Sequence, residues 1–241
     1  MKRPVLLILL LSLSGFGLSA NAQSDKDGAI TVVELFTSQG CYSCPPADTL
    51  LAELDQDNTI TLSCHVTYWN YLGWEDTFSK AYCDNRQRTY QSALKGNPGV
   101  YTPQMVLNGR FGAVGSRKSR VGQAINIMTK ENRIEPVVLA FDSSNQLTIN
   151  LPAITAEQQH QLVLIGTRGT ETVPINRGEN GGKTLDYHNP VEFVENLGPW
   201  NGDSAVLTQK LAEQAEIKQW IVLAQTWPVG EIVAAGKISV Q

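Results

Sequence analysis

Two cysteines spaced by two residues, Cys41 and Cys44, are the clearest chemical signal in this chain. Cysteines at this spacing can close a small disulfide ring without large backbone movement. Pro45 and Pro46 follow at once, and proline suits the first turn of a helix because the N–H it lacks has no partner there. We therefore place Cys41 beside the positive end of a helix dipole. That field favours thiolate, the form of cysteine that attacks disulfides and binds metals.

The residues around the pair have predicted roles. Cys41 is the attacking thiol, because it should lie nearer the surface and the helix start, and Cys44 is the resolving thiol. Tyr42 and Ser43, between them, would face the substrate. Glu34 lies on the strand before the pair, where a carboxylate could accept a proton from Cys44 and its pKa would rise if desolvated. The alternatives are an inert disulfide and a glutamate that faces water.

A second motif strengthens the first. Thr102 and Pro103 precede a strand that ends in Asn108-Gly109, a strong hairpin turn signal. In thioredoxin-like folds a proline at this place is cis and its loop faces the C-x-x-C pair. Cis X–Pro bonds are uncommon and have a structural reason, here the exposure of a backbone edge to a substrate chain. We predict a cis Thr102–Pro103 bond and substrate contacts for both residues; an ordinary trans turn is the alternative.

An aromatic segment, residues 68–74, follows the second predicted strand and contains Trp69 and Trp74. Ligand sites in open α/β sheets collect at the carboxyl ends of strands. The segment is therefore predicted either as a binding wall beside Cys41 or as a seal between two domains. His65, just before it, is either a hydrogen-bonded core residue or a ligand in a soft metal site with the cysteine pair, and we predict no metal.

Cys64 and Cys83 complete the set of four cysteines, which permits three pairings. A Cys64–Cys83 bridge would close a loop of roughly twenty residues and contribute on the order of 3 kcal/mol. We favour this structural disulfide, beside a Cys41–Cys44 disulfide. A second redox pair and two buried free thiols are the alternatives.

A glycine-rich segment, residues 178–184, resembles a phosphate-binding loop. The G-x-x-x-x-G-K-[ST] form requires a glycine where the chain has Arg177, so the spacing fails by one. Strand-like sequence follows, and we predict a hairpin turn.

Strand and helix patterns alternate from residue 30 to about residue 130. The order is βαβαββα, that of the thioredoxin fold, and short β-like segments follow from residue 136. The predicted fold is α/β, with a thioredoxin-like domain at 28–133 built on a mixed sheet. A small antiparallel, sandwich-like β region at 134–241 follows it. The predicted helices are 45–55, 77–95 and 118–130; the predicted strands are 32–36, 60–66, 104–107, 110–114, 137–141, 147–151, 162–167, 184–194, 220–226 and 232–240, with one short helix within 205–219.

The first residues are typical of a signal peptide. Lys2 and Arg3 precede an apolar run at 5–13, and an A-x-A site ends at Ala22. We predict cleavage after Ala22 and a periplasmic or secreted protein, with an uncleaved anchor as the alternative. All four cysteines would then enter an oxidising compartment.

Charge narrows the partners. Cleavage removes two cations and changes the formal net charge from −4 to −6. A mildly acidic chain without a basic cluster argues against nucleic acid and, once the signal is cleaved, against membrane. We predict no cofactor, and the sequence leaves the oligomeric state open.

Four segments together resemble one family. They are VELFTSQGCYSCPPAD (33–48), HVTYWNYLGW (65–74), RQRTY (86–90) and YTPQMVLNG (101–109), with a looser match in GENGGKTL (178–185). The chain resembles the DUF1223 family of bacterial secreted, thioredoxin-like proteins over nearly its whole mature length. The resemblance implies a thioredoxin-like fold and an export route.

The leading hypothesis is an exported thiol–disulfide oxidoreductase acting on protein or small-molecule thiols and disulfides. Cys41 would form the mixed disulfide and Cys44 would resolve it. The alternative is a non-enzymatic periplasmic binding module, in which the pair is a structural disulfide or a copper or zinc ligand pair.

Overall fold

The computed structural model describes residues 29–94, 99–131, 133–144, 146–155, 158–211 and 214–240, so the predicted signal peptide lies outside the described residues. None of the helices in these ranges is long and apolar enough to cross a membrane. The elements are β1 (Thr31–Thr37), α1 (Pro45–Leu54), β2 (Thr59–His65), a 3₁₀ helix (Asn70–Leu72), α2 (Ala81–Ala93), β3 (Gln104–Leu107), β4 (Phe111–Val114), α3 (Lys118–Glu131), β5 (Glu135–Pro136), β6 (Val138–Phe141), β7 (Gln146–Leu151), β8 (His160–Thr167), β9 (Thr170–Pro174), β10 (Thr184–His188), β11 (Val191–Trp200), β12 (Ala205–Lys210), β13 (Gln219–Thr226) and β14 (Ile232–Ser239).

The first half of the chain forms a four-stranded sheet in the order β2-β1-β3-β4. β1 runs parallel to β2, while β3 runs antiparallel to β1 and β4. Side chains alternate between the faces of a strand, so Val33 and Leu35 point to one face of β1 and Phe36 to the other. On the first face Leu35 packs with Leu51 of α1 and Val121 of α3. Both helices therefore cover the same side of the sheet.

The second half contains three more sheets: five strands in the order β11-β8-β13-β14-β5, three in the order β12-β7-β6, and the β9–β10 ribbon. The five-stranded sheet is mixed, because β5 pairs in parallel with β14. Its outer face packs on the three-stranded sheet, for example Leu164 and Val222 with Ile149. The fold is thus mixed α/β with few helices and several sheets, including antiparallel regions.

The other face of β1 lies in a core that both halves of the chain build. Phe36 and Tyr90 of α2 pack there with Ile165 of β8 and Leu223 of β13. The Cys64–Cys83 disulfide is buried in the same core, with its Cα atoms 5.3 Å apart, as predicted. The division of the chain at residues 133 and 134 stays a prediction, since the four-stranded and five-stranded sheets share this apolar interior.

A buried ion pair lies within that shared core. Glu34 is 1% exposed and Arg86 is 4% exposed. The guanidinium of Arg86 donates to both carboxylate oxygens of Glu34, and its Nη2 also donates to Gln225 of β13 at 2.9 Å. The hydroxyl of Tyr90 donates to Glu34 Oε1 at 2.5 Å. The pair therefore ties β1, α2 and β13 together through hydrogen bonds that only the assembled halves can supply.

Three predicted elements differ from the structure. The long helix begins at Ala81 rather than at residue 77, because Asp76 binds the N–H of Phe78 and Lys80 is extended. The predicted strand 184–194 is two strands, broken at Asn189, whose φ is +51°. The segment predicted to hold a short helix instead forms β12, which pairs with β7.

We expect Glu34→Gln to lower the free energy of unfolding by about 3–5 kcal/mol, because it leaves the Arg86 guanidinium buried without a counter-charge. Urea denaturation at pH 7 measures the effect. Glu53→Gln is the matched control, since its partner Lys118 is 72% exposed and surface pairs contribute little. Equal stability of the two variants would contradict the structural role of Glu34.

Candidate functional site

The Cys41–Cys44 disulfide closes the loop between β1 and α1, with Cα atoms 5.4 Å apart. Cys44 is the N-cap of α1, and Pro45 opens the helix as predicted. Both cysteines are fully buried, so exposure does not distinguish Cys41, predicted to lie nearer the surface, from Cys44. The exposed residues are the two between them: Tyr42 is 67% exposed, and Ser43 holds its hydroxyl 3.6 Å from Cys41 Sγ.

Trp69 and Thr102 cover one side of this loop. The indole Nε1 of Trp69 donates to Thr102 Oγ1 at 2.8 Å. A Cβ at Gly40 would lie 3.2 Å from the Cβ of Trp69, a tight contact that would require a small local shift. Thr102–Pro103 is cis, as predicted, and the pairing of Phe36 with Gln104 places Pro103 beside the end of β1. The structure thus brings the two predicted motifs to one edge of the sheet.

Trp74 supports the disulfide loop through a hydrogen bond and does not form an open binding wall. Its Nε1 donates to Gln39 Oε1 at 2.8 Å, and the Gln39 N–H donates to Asp76 Oδ2 at 2.7 Å. Trp74 also reaches the second half of the chain, because a Cβ on Gly178 would lie 3.3 Å from the Trp74 Cβ. The aromatic segment therefore both borders the disulfide and seals it against the second half.

The glycine loop (residues 178–183), which joins β9 to β10, covers the remaining side. This segment is a hairpin connection, as predicted. The side-chain amide of Asn180 donates to the carbonyls of Gln39 at 3.0 Å and Cys41 at 2.9 Å. The backbone N–H of Tyr42 donates to Glu179 Oε2 at 3.0 Å. The disulfide loop is thus held by residues almost 140 positions further along the chain.

A buried carboxyl, Asp48, lies one turn of α1 behind Cys44, and its N–H donates to the Cys44 carbonyl at 3.1 Å. Neither oxygen of Asp48 has a hydrogen-bond partner among the described residues. Burial raises the pKa of this carboxyl from its ordinary 3.8 to about 7, and the nearby His65 and Thr37 offset only part of that rise. An acid with this pKa can take up or release a proton near neutral pH.

His65 lies behind Asp48 as a hydrogen-bonded core residue. Its Nδ1 is 2.8 Å from Asp76 Oδ2, and its ring packs edge-on against Tyr187. Burial alone would raise the pKa of Asp76, but the charge and hydrogen bond of His65 and the Gln39 N–H outweigh it and lower the pKa. Asp76 is therefore the ionised partner, and it fixes the orientation of His65.

Several polar atoms in this region are buried without a partner among the described residues. They are the oxygens of Asp48, His65 Nε2, the hydroxyl of Thr37 and the hydroxyl of Tyr187. Groups of this kind are normally satisfied, and clusters of exceptions point to a redox or catalytic role or to bound water. No group of three or more His, Cys, Asp or Glu side chains in the described ranges is arranged to hold a metal ion.

A cleft of about 400 Å³ separates α1 from the β9–β10 ribbon. Asp48 and Tyr187 lie at its wall beside Pro45, the first residue of α1. Asp48 therefore borders this cleft, although both of its carboxylate oxygens are buried. The other lining residues are Thr49, Ala52, Thr170, Thr184, Leu185, Asp186 and His188.

Sequence reasoning named Glu34 as the acid and missed Asp48. The structure places Glu34 on the face of β1 that carries Phe36 and binds it to Arg86 and Tyr90. The spacing of four from Cys44 could have identified Asp48, because residues i and i+4 share a helix face. Nothing local could have identified Asn180.

The chain is similar to a protein family and to solved structures. A family described as "Protein of unknown function (DUF1223)" matches residues 32–225. The chain belongs to the DUF1223 family. The matched range includes the disulfide loop, the aromatic segment and the glycine loop, so all three parts of the candidate site lie within the family region. No curated protein matches the chain.

Two solved structures are similar to this DUF1223 protein. Protein AGR_C_4864 from Agrobacterium tumefaciens is 33% identical, with a TM-score of 0.77 over 87% of this chain and 94% of that one. HBP35 of Porphyromonas gingivalis is 14% identical, with a TM-score of 0.57 over 88% of this chain and 76% of that one. The second likeness concerns the fold alone.

We expect Asp48→Asn to stabilise the protein above pH 7. Raising the pKa from 3.8 to about 7 costs on the order of 4 kcal/mol once Asp48 is ionised, because each tenfold change is about 1.4 kcal/mol. The folded state binds this proton more tightly than the unfolded state, so wild-type stability falls as pH rises from about 4 to 7. Thermal midpoints between pH 5 and 8.5 measure the effect, and parallel curves for the two proteins would contradict it.

Proposed function

We propose that this protein is an exported thiol–disulfide oxidoreductase that exchanges disulfides through Cys41 and Cys44. The observation that carries the proposal is the disulfide at the start of α1 with Asp48, a buried acid that has no hydrogen-bond partner among the described residues, one turn behind it. An inert disulfide gains nothing from an acid that destabilises the fold at neutral pH. Strongly perturbed acids beside a reactive group are typical of functional sites.

The fold of the first half supports the same proposal. We propose that residues 28–133 form a thioredoxin-like domain and residues 134–241 a β-rich one. In support, the strand order is β2-β1-β3-β4, with α1 and α3 on one face and α2 on the other. The segment with Thr102 and Pro103 begins β3 beside the end of β1, where an approaching chain would meet Trp69 and Tyr42.

We propose the following exchange steps. A substrate thiolate attacks Cys41 Sγ, the Cys41–Cys44 bond breaks, and Cys44 leaves as a thiolate that takes the proton of Asp48. The second thiolate of the substrate then attacks the substrate sulfur that is bonded to Cys41, and Cys41 leaves as a thiolate. The substrate is thereby oxidised to a disulfide, and the protein is reduced to the dithiol. The reverse sequence oxidises the protein, with Asp48 as proton acceptor for Cys44.

Helix α1 and Ser43 assist these steps. The helix dipole stabilises negative charge at its N-terminus, where both sulfurs lie. The Ser43 hydroxyl, 3.6 Å from Cys41 Sγ, is placed to donate to the Cys41 thiolate of the reduced state. The substrates we propose are protein or small-molecule thiols and disulfides, in the periplasm or outside the cell. Two disulfides in one chain fit an oxidising compartment.

A structural disulfide is the second candidate, and the complete burial of Cys41 favours it. Reduction potential separates the two. Structural disulfides have potentials below about −300 mV, while exchanging pairs lie between about −270 and −120 mV.

We expect the reduction potential of the Cys41–Cys44 pair to lie between about −120 and −270 mV. The chain without residues 1–22 is incubated in graded thiol buffers and alkylated, and its peptides are read by mass spectrometry. The Cys64–Cys83 pair, read in the same spectra, should stay oxidised throughout. Cys41→Ser should abolish exchange with a dithiol substrate, while Asp48→Asn should retain it with an altered pH profile. A potential below about −300 mV would refute the oxidoreductase.

A further inference from the structure

The glycine loop makes four contacts with the disulfide loop, each at a different atom. Asn180 donates to the carbonyls of Gln39 and Cys41, and Glu179 accepts the N–H of Tyr42. The ammonium of Lys183 lies 4.8 Å from the centroid of the Tyr42 ring. These contacts involve donors, acceptors and a cation, so the fit is chemical as well as steric.

Asn180 is oriented for its task. Lys183 Nζ donates to Asn180 Oδ1 at 2.8 Å, so the Nδ2 end of the amide must face the two carbonyls. Asn180 is fully buried and Gly178, which precedes it, has a φ of +75° that favours glycine. The amide is therefore fixed in position and in direction by its own loop.

The disulfide is buried next to this loop. Cys41 is fully buried although Tyr42 and Ser43, which lie between the two cysteines, are exposed. Nucleophilic attack on a disulfide requires a straight approach to the sulfur, so access governs its rate together with thiolate chemistry. Asn180 binds the Cys41 carbonyl, so a displacement of the glycine loop would release the backbone that carries Cys41 Sγ.

Glu179 adds an electrostatic effect. The Tyr42 N–H lies in the loop next to Cys41, three residues before α1 begins, and Glu179 accepts from it and brings a negative charge beside Cys41. A carboxylate there disfavours the Cys41 thiolate and thus the reduced state. Glu179 is exposed, so this effect should weaken as salt screens it.

We propose that Asn180 and Glu179 are positioning residues of the redox site: Asn180 latches the glycine loop over Cys41, and Glu179 biases the pair toward the disulfide. This inference rests on the proposed function for its biological meaning. The shielding of the Cys41–Cys44 disulfide by Asn180 and the preference for its oxidised state from Glu179 are expected whatever the substrate is. It also gives the second half of the chain a part in the chemistry of the first.

The latch is tested by the rate at which dithiothreitol reduces Cys41–Cys44 in the oxidised chain without residues 1–22. We expect Asn180→Ala to raise this rate about tenfold, as the loss of two hydrogen bonds implies. The Cys64–Cys83 disulfide of the same molecule is the internal reference, and its rate should not change. Equal rates in wild type and variant overturn the latch. Acceleration of both disulfides together also overturns it, because the loop would then only stabilise the fold.

The bias is tested with Glu179→Gln, which keeps an acceptor for the Tyr42 N–H and removes the charge. We expect the equilibrium constant with dithiothreitol to shift about threefold toward the reduced pair, and less in high salt. Asp186→Asn removes a charge from the same hairpin, where it accepts from Thr172, and is the matched control. Equal shifts in the two variants overturn the role of Glu179.

The two proposals fail separately. A potential in the range of structural disulfides, together with selective acceleration in Asn180→Ala, would refute the oxidoreductase and leave the latch standing. A reduction potential in the exchanging range, with no acceleration in Asn180→Ala, would refute the latch and leave the oxidoreductase standing.

Discussion

The buried pair of Glu34 and Arg86 is the constraint on which the rest of the structure depends. Removing two charges from water is expensive, and such a pair survives only if its remaining donors and acceptors are also satisfied. Here Tyr90 and Gln225 complete the set, one from α2 and one from β13. Because Gln225 belongs to the second half of the chain, the first half cannot satisfy Arg86 alone. The four-stranded and five-stranded sheets must therefore face each other in one register, and the apolar core around Phe36 follows from that.

The contrast between Glu34 and Asp48 shows how the chain separates structural from reactive acids. Glu34 has a cation, Arg86, and one further partner, Tyr90. Asp48 is also buried but has no partner among the described residues, and burial raises its pKa to about 7. The two carboxyls lie on opposite faces of one sheet layer. Only Asp48, on α1, shares a helix turn with a cysteine.

Much of the first half could be predicted from sequence, because its signals are local. The prolines after Cys44 mark a helix start, and Asn108-Gly109 takes positive φ at both residues of the predicted turn. Signals that depend on distant contacts failed. The helix that contains Cys83 begins late because Asp76 binds His65 and the N–H of Phe78, and β9 and β12 are half-exposed strands that mix polar and apolar residues. The site was half predictable for the same reason: the cysteines and Pro103 are local motifs, whereas the glycine loop reaches them only after folding.

The distance along the chain between Cys41 and Asn180 orders events in time. In the exported chain that we propose, a membrane crossing that starts at the N-terminus presents both cysteines of the first loop long before residue 180 arrives. During that interval the loop lacks its cover, and exported oxidants or isomerases can reach its sulfurs. Once β9 and β10 pair, the same sulfurs pass out of solvent. Folding of the second half therefore ends the period in which this cysteine pair is accessible. The pair is open to other proteins during maturation and shielded afterwards.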